Sequence, residues 1–397
     1  MKAYKFRLYP NKEQQSTLKQ WIGCSRWVWN HMLDFNKKKY EQEKKFAFYV
    51  EMNNMLPELK KQEDTIWLSE APSQVLQQKC QDLGNAMGVS FKRKDRGFPK
   101  FKSKKLDQSG IRFPQGWKIQ GNRINLPKLK GIKFKQHREI QGKMSSCTIT
   151  KDRCGDWWIS ILTSNQPNQL KDVDPNLSVG IDVGLKEFAV TSDGEIVKNP
   201  RYLKRAERRL KIRQRALSRS KRDSNNKERD RLGLARSHRK VSRQRKDFIT
   251  KFVSSIIKMN DIVCVEDLNI TGMKKNHRLA KSIGDVSWGQ MYNRLEQKLA
   301  NEGKMLIKID QFAPSSKTCS YCGSKQDMPL NIRTYKCNVC GLELDRDFNA
   351  ALNIRNWALQ QRFNLAPTVG TTESHASGDM ISVGKSADEA AESLVRR

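Results

Sequence analysis

Four cysteines in the last third of the chain have the spacing of a structural metal site. Cys319/Cys322 and Cys337/Cys340 form two Cys-x-x-Cys pairs, separated by 14 residues. Two such pairs can close a tetrahedral thiolate site around zinc. The other five cysteines are scattered without a disulfide-like pattern, which is typical of a protein from a reducing compartment. The sequence therefore predicts one structural Zn²⁺.

Three acidic residues stand where predicted strands or helices begin or end: Asp182 in GIDVG, Glu266 in CVEDL and Asp347 in DRDFNAA. Hydrolysis of a phosphodiester bond by two Mg²⁺ ions requires carboxylates from separate elements, because hard cations must be held on both sides of the scissile phosphate. These three residues could supply that arrangement. The five histidines are widely dispersed, so a histidine-based nuclease centre is not expected.

Each of these acids also has a simpler interpretation. Asp182 alone could be a turn residue that accepts backbone hydrogen bonds, and Glu266 could be a polar strand end. Asp345 fits the N-cap of a helix, which leaves the metal role to Asp347. Cys264 is interpreted as a buried strand residue, since no histidine accompanies it to activate a thiolate.

The elements that must position these residues can be read from hydrophobic periodicity. Alternation predicts a strand over 3–9, helical spacing predicts helices over 12–91, and short glycine-punctuated segments over 111–163 predict a small β-barrel or sandwich that the opening strand joins. Residues 177–197 predict an antiparallel meander that resembles the start of a ribonuclease-H-like fold.

Further along, the pattern predicts a basic helical hairpin over 201–251 and then a strand, helix, strand unit. Buried-type strands are expected at 261–268 and 304–310, with a helix at 288–299 between them. After Trp357 the composition becomes rich in small residues, so the tail at 363–397 is expected to be disordered.

The charge of the chain points to a polyanionic partner. Its 76 Lys and Arg against 42 Asp and Glu give a net charge of +34. Nucleic acid is the simplest such partner, because each contacted phosphate releases counterions. A generic basic or membrane-surface protein is the alternative. No signal peptide or apolar run of spanning length occurs in the sequence, so we expect no membrane contact and a place in a prokaryotic cytosol or nucleoid.

Two stretches are predicted to supply the nucleic-acid surface. Residues 91–105 alternate cations with phenylalanines, which could stack on bases or only anchor a solvated loop, and residues 201–251 hold 21 Lys and Arg against five Asp and Glu. The candidate phosphate contacts are Lys92, Arg93, Lys100, Lys102, Arg208, Arg209 and, in the cysteine segment, Arg333.

Together these motifs closely resemble the TnpB family of transposon-encoded RNA-guided DNA endonucleases, related to type V CRISPR effectors. The resemblance runs to about Trp357 and rests on these stretches, in the family's order: KFRLYP, SQVLQQ, GFPKFKSK, LPKL, GIDVGL, VEDLNI, PSSKTCS and CGLELDRDFNAALNI. The stretch LNIRTYKC departs modestly from the family pattern while keeping Arg333 and an aromatic at Tyr335.

The resemblance implies a multidomain fold of α/β and α+β parts. A β-barrel wedge domain would comprise 1–10 and 111–170, with a helical recognition domain inserted at 11–110. An RNase H-like RuvC nuclease domain would comprise 176–314 and 341–362, with a zinc ribbon inserted at 315–340. Asp182, Glu266 and Asp347 would be its catalytic metal triad.

The resemblance also implies the partners and the activity. Guide RNA from the transposon end would direct cleavage of double-stranded DNA beside a short adjacent motif, with one site cutting both strands in turn and one RNA bound to a monomer. Gln77 and Gln78 are candidates for reading that motif through adenine edges, or else they lie on a solvated helix face. Open alternatives are a transposase acting in strand transfer, a nuclease-inactive RNA-guided regulator, and a plain zinc-ribbon binding module.

Overall fold

The computed structural model describes residues 1–93, 95–104, 110–164, 172–329 and 331–364. The chain divides into two compact units. The first comprises Met1–Lys171, Arg201–Val253 and Gly284–Lys304, and the second comprises Asp172–Pro200, Ser254–Ile283 and Met305–Arg397.

The described strands, in chain order, are β1 (Lys2–Tyr9), β2 (Ile111–Phe113), β3 (Lys118–Gln120), β4 (Arg123–Leu126), β5 (Leu129–Lys135), β6 (Lys143–Lys151), β7 (Trp157–Ser164), β8 (Ser178–Asp182), β9 (Glu187–Thr191), β10 (Ile196–Lys198), β11 (Ile262–Glu266), β12 (Met305–Ile309), β13 (Thr334–Lys336) and β14 (Glu343–Asp345). The α-helices are α1 (Lys12–Glu43), α2 (Tyr49–Asn54), α3 (Leu56–Leu59), α4 (Ser73–Lys92), α5 (Tyr202–Arg219), α6 (Asn225–Met259), α7 (Ile270–Met273), α8 (Ala280–Val286), α9 (Trp288–Glu302) and α10 (Arg346–Phe363). A 3₁₀ helix spans Glu63–Glu70.

The first unit is built on one antiparallel sheet of seven strands, in the order β2-β6-β7-β1-β5-β4-β3. The opening strand lies between β5 and β7 and alternates buried Tyr4, Phe6 and Leu8 with more exposed cations. The prediction that this strand joins the later β segments, with the helices inserted between, is confirmed. No pairing of β2 with β3 occurs among the described strands, so closure into a barrel stays a prediction.

The helices of residues 12–92 share the core of that sheet. Leu18, Trp21, Val28 and Met32 recur at helical spacing along α1 and are all buried in one cluster with the sheet's inner face. Asn11 caps α1, because its side chain accepts the Gln14 N–H at 2.8 Å. The recurring apolar positions are therefore core residues, as their spacing predicts.

The hairpin of α5 and α6 also packs in the first unit. Arg239 on α6 pairs with Asp152 at 3.2 Å and with Asp156, both in the turn between β6 and β7. Asp156 also pairs with Arg7, and the hydrogen bonds from Arg7 and Arg239 lower the pKa of Asp156 to about 2. Residues 201–253 and 284–304, which the family resemblance assigns to the nuclease domain, thus cluster with the sheet of the first unit.

The second unit contains a mixed five-stranded sheet in the order β10-β9-β8-β11-β12. Strands β8, β11 and β12 are parallel, while β9 and β10 complete the predicted antiparallel meander. The run Ile262–Val265 is buried at every position, as expected of a central parallel strand. Helix α10 packs on β8, where Arg355 donates to the Ser178 hydroxyl at 3.0 Å. These findings establish a mixed α/β unit.

The cysteine segment, residues 315–345, ends in a short hairpin of β13 and β14, in which Thr334 pairs with Asp345. Strand β14 leads without a linker into α10. Most of the predicted tail at 363–397 lies outside the described residues. Among the residues that are described, no helix is both long and apolar enough to cross a membrane.

Candidate functional site

Asp182 and Glu266 lie side by side at one edge of the mixed sheet. Val265 on β11 is paired in parallel register with Ile181 on β8, so the next residue of each strand is an acid at the carboxyl end. Carboxyl ends of parallel strands meet at the same edge, where ligands bind in open α/β sheets. The structure therefore brings together two of the three predicted carboxylates.

Asp347 lies in the first turn of α10. Asp345 is the N-cap, because its side chain accepts the N–H groups of Asp347 at 2.9 Å and Phe348 at 3.1 Å. That cap confirms the interpretation of Asp345 as a helix-starting residue. Asp347 is then free of a capping role and belongs to the helix that packs against β8.

The charges of the three carboxylates oppose one another. Burial, followed by the negative charges of Glu266 and Asp347, holds the pKa of Asp182 well above its ordinary value. Burial also raises the pKa of Glu266. The Ser315 hydroxyl, which donates to Oε1 at 2.6 Å, partly opposes this by lowering the pKa. Mutual repulsion of this kind is relieved when a divalent cation binds between the acids. The donor set therefore fits a hard cation.

Two arginines fix the position of Asp347. Arg333, from the cysteine segment, lies 3.2 Å from Oδ2, and Arg346 lies 3.1 Å from Oδ1. The oxygens of the three acids do not all lie within 4.8 Å of one another, since across the described ranges only the four cysteines form such a group. Asp347 therefore acts on Asp182 through its charge, while its side chain is held by cations.

The four cysteines converge as their spacing predicts. Their sulfur atoms lie within 4.8 Å of one another, with Sγ–Sγ distances of 3.6 Å for Cys319–Cys340 and for Cys322–Cys337. A tetrahedral site with metal–sulfur bonds of about 2.3 Å requires sulfur separations of about 3.8 Å. The residues present therefore fit Zn²⁺, and Cys319, Cys322, Cys337 and Cys340 would hold it.

The pKa values of the four cysteines move in opposite directions. Hydrogen bonds from the Cys340 N–H and the Ser324 hydroxyl lower the pKa of Cys337 to about 6, and hydrogen bonds from Ser324 lower that of Cys322. Burial raises the pKa of Cys319, and burial and the neighbouring sulfurs raise that of Cys340 to about 12. Gly323 and Gly341 each follow the second cysteine of a pair with φ near +75°, a conformation that side chains disfavour. Each pair thus sits in a tight knuckle that directs amides at sulfur, and thiolates are the form that binds metal.

Sequence reasoning missed the side chains that tie the cysteine segment to α10. Asn349 donates to the Thr318 carbonyl at 2.7 Å and accepts the Ser320 N–H at 3.0 Å. Asn353, one turn later, donates to the carbonyls of Ser315 and Thr318. Two asparagines four residues apart in the quoted FNAALNI stretch were the available signal, because that spacing places both on one helix face.

Gly180 was also missed. A side-chain carbon at this position would lie 2.1 Å from the Ala351 carbonyl oxygen and 2.8 Å from the Arg355 nitrogen. The strand that ends at Asp182 therefore approaches the backbone of α10 more closely than any side chain would allow. Only a glycine fits at this crossing.

The candidate base-reading residues lie on α4. Gln77 and Gln78 are both partly exposed, and Gln77 lines a cavity of about 310 Å³ with Asn53, Asn54 and Lys60. The positions of Gln77 and Gln78 do not test the predicted contact with bases, which stays a prediction.

The candidate phosphate contacts of residues 91–105 lie at the end of α4 and in the loop that follows. Lys92 and Lys100 are exposed, and Arg93 is exposed but pairs with Asp95 at 3.0 Å. Lys102 is held by Asn30 through its backbone, and its Nζ lies 3.6 Å from the Trp29 ring centroid. The loop is thus fixed to α1 with most of its cations outward.

Among the aromatic residues of this region, two are anchors. The rings of Phe91 and Phe98 pack on Phe46, with centroids 5.1 and 5.7 Å away. Phe101 remains exposed, with Lys37 over its ring. Arg208 and Arg209 are exposed on α5, whereas Arg333 lies at the carboxylates as described above. None of these positions tests nucleic-acid binding, which stays a prediction.

Three family models match this chain. One described as "Probable transposase" matches residues 160–277, one described as "Cas12f1-like, TNB domain" matches 288–354, and one described as "Helix-turn-helix domain" matches 1–45. A relative from Streptomyces pristinaespiralis, named as a candidate RNA-guided DNA endonuclease, is 32% identical over 89% of this chain and 88% of its own. The chain belongs to the TnpB family.

Two further similarities place this TnpB protein among its relatives. The Escherichia coli K12 protein InsQ, also named as a candidate RNA-guided DNA endonuclease, is 31% identical over 89% of this chain and 91% of its own. The Cas12f1 chain of a cryo-EM structure with sgRNA and target DNA has a TM-score of 0.54 at 18% identity, covering 87% of this chain and 83% of that one. The latter likeness shows a shared fold.

Proposed function

We propose that this chain is an RNA-guided, divalent-metal-dependent endonuclease that hydrolyses double-stranded DNA. The observation that carries the proposal is the convergence of Asp182 and Glu266 at one sheet edge, with the charge of Asp347 acting on Asp182. Support for RNA guidance comes from relatives of nearly full length that are named as RNA-guided DNA endonucleases. The second unit would then be an RNase H-like nuclease of the RuvC type.

The residues of this site have separable tasks. Asp182 and Glu266 would bind the metal ions from two rigid strands, and Asp347 would bind them from a helix. The fold therefore sets the relative positions of the three carboxylates. Two Mg²⁺ held there would supply activation of the attacking water and stabilisation of the leaving oxygen. Ser315 keeps the Glu266 carboxylate oriented and favours its ionised form.

The four cysteines have a structural part in this proposal. Zn²⁺ held by them would contribute to folding of the segment that presents Arg333 to Asp347. Asn349 and Asn353 hold the start of the same segment on α10. The cysteine segment would thus shape the site without taking part in the chemistry.

The guide RNA and target would be bound by the basic surfaces, and base pairing would supply sequence choice. The phosphate-contact candidates on α4, on the following loop and on α5 are mostly exposed, as such a role requires. Gln77 and Gln78 remain the candidates for the adjacent motif. One site would cut both strands in turn, in a monomer with one RNA.

The test is cleavage by the protein purified with its RNA. Asp182→Ala and Glu266→Ala should each abolish cleavage of a guide-matched duplex in Mg²⁺ while the RNA still copurifies. Asp193→Ala is the matched control, because Asp193 is an exposed acid in the turn after β9 and should leave the rate unchanged. Cleavage at the normal rate by either triad variant would refute the assignment.

A transposase acting in strand transfer is the second candidate, favoured by the description of the model that matches residues 160–277. Excision of transposon ends by the purified protein without RNA would support it. A nuclease-inactive regulator is disfavoured because all three acids are present.

A further inference from the structure

A notch between α5 and α6 is lined by four cations. Arg209 and Arg213 project from α5, and Arg236 and Lys240 from α6, around a cavity of about 210 Å³ that Gly233 and Ser237 complete. All four cations are exposed. The notch lies wholly within the first unit.

Several other cations of the hairpin are paired with carboxylates. Lys211 pairs with Glu207 at 3.0 Å, Arg231 with Glu228 at 2.5 Å and Lys251 with Asp247 at 3.1 Å. By contrast, no carboxylate pairs with a notch cation anywhere in the part of the chain that the structure describes. Their positive charges are left uncompensated by the protein itself.

The arrangement is unfavourable for the isolated protein. Arg209/Arg213 and Arg236/Lys240 are each four residues apart, a spacing at which like charges repel on a helix. The two pairs also face each other across the notch. A bound anion would relieve this repulsion, because it would accept hydrogen bonds from several cations at once.

Gly233 makes room for the notch. A side-chain carbon there would lie 2.4 Å from Nη1 of Arg213, so that guanidinium lies against the bare backbone of α6. Glycine is less favourable than alanine inside a helix. The hairpin therefore carries, at a cost to helix stability, a gap that the Arg213 side chain fills.

We propose that this notch binds one phosphodiester group of a nucleic-acid backbone. The proposal rests on the proposed function for the nature of its ligand and adds a defined site to it. Two cations from each helix would surround the phosphate, and Ser237, whose hydroxyl donates to the Gly233 carbonyl at 3.1 Å, would keep that backbone oxygen satisfied.

Gly233→Ala separates binding from folding. The clash is with the end of a flexible side chain, so Arg213 should swing away and the helix should gain stability. We expect an unchanged or higher Tm together with about tenfold weaker binding of the RNA that copurifies with the full chain. Wild-type affinity for both RNA and DNA in this variant would overturn the proposal.

The salt dependence gives a second readout. Arg213→Ala with Arg236→Ala should reduce the slope of log K against log salt by about 0.7 for single-stranded RNA or about 0.9 for duplex DNA, as expected for one lost phosphate. Lys211→Ala with Lys251→Ala removes the same net charge from ion-paired positions and should change the slope much less. Equal changes in the two double variants would contradict a defined site.

Separate measurements with copurified RNA and with duplex DNA of unrelated sequence identify the source of the phosphate. A slope change with RNA alone assigns the notch to the guide, and one with DNA alone assigns it to the target. A wild-type chain that binds DNA with the notch-dependent slope but binds no RNA would leave the notch intact and overturn RNA guidance instead.

Discussion

The crossing of β8 and α10 at Gly180 yields a prediction with a calculable size. In Gly180→Ala the new carbon would lie 2.1 Å from the Ala351 oxygen, whereas real contacts of this kind are essentially never below 3.0 Å. Strand and helix would have to separate by about 0.9 Å to restore even that minimum. Both opposing atoms belong to a helical backbone, so neither can rotate away.

This separation falls directly on the proposed active site. Asp182 is two residues beyond Gly180 on β8, and Asp347 is one turn before Ala351 on α10. Moving reacting groups apart by 1 Å can cost about 100-fold in rate. Overpacking a buried contact should also cost about 1–3 kcal/mol of stability, or a few degrees in Tm.

The assay is single-turnover cleavage of a guide-matched duplex, with Tm and zinc content measured on the same preparation. Gly23→Ala on α1 is the control, since a side chain at Gly23 meets nothing within 4 Å. Gly180→Ala should retain zinc and RNA, lose a few degrees in Tm and cut about 100-fold more slowly. A variant with the normal rate and Tm would show that the close approach does not set the geometry of the acids.

Three further outcomes are expected. The folded protein holds the pKa of Asp182 above its ordinary value, so the stability that this group contributes is present at acidic pH and is lost as pH rises through the raised pKa. Metal-free Asp182→Asn should therefore have a higher Tm than the wild type near pH 7, and the difference should shrink towards pH 4. A lower Tm of the variant at neutral pH would contradict this. Cys337→Ser should reduce bound zinc below one equivalent and lower Tm, as elemental analysis and thermal unfolding would reveal. Ser315→Ala removes a hydrogen bond that lowers the pKa of Glu266, so the acidic limb of the pH–rate profile should move to higher pH, and an unmoved limb would exclude this role.

Features that depend on a short stretch of sequence could be predicted: the strand ends, the start of α10 and the cysteine site. The buried runs before Asp182 and Glu266 define strands, so both acids could be placed at strand ends, and a helix start after Asp345 follows from ordinary capping. The cysteine spacing specifies a tetrahedral site because its geometry is set by the metal and not by the fold.

Long-range partners could not be predicted in this way. Ser315 meets Glu266 across 49 positions, and Arg239 meets Asp156 across 83. Hydrophobic period defines which face of an element is buried but not which element covers it. For the same reason the pattern of residues 201–253 does not predict that they cluster with the seven-stranded sheet of the first unit.

Asp345 belongs to two elements at once, pairing with Thr334 in the cysteine hairpin and capping α10. With no linker between them, the register of that hairpin sets the rotational phase of the helix. One inserted residue at this junction would turn Asp347 by about 100° around the helix axis and away from Asp182. The length of this junction should therefore be as critical to the site as the identities of Asp345 and Asp347.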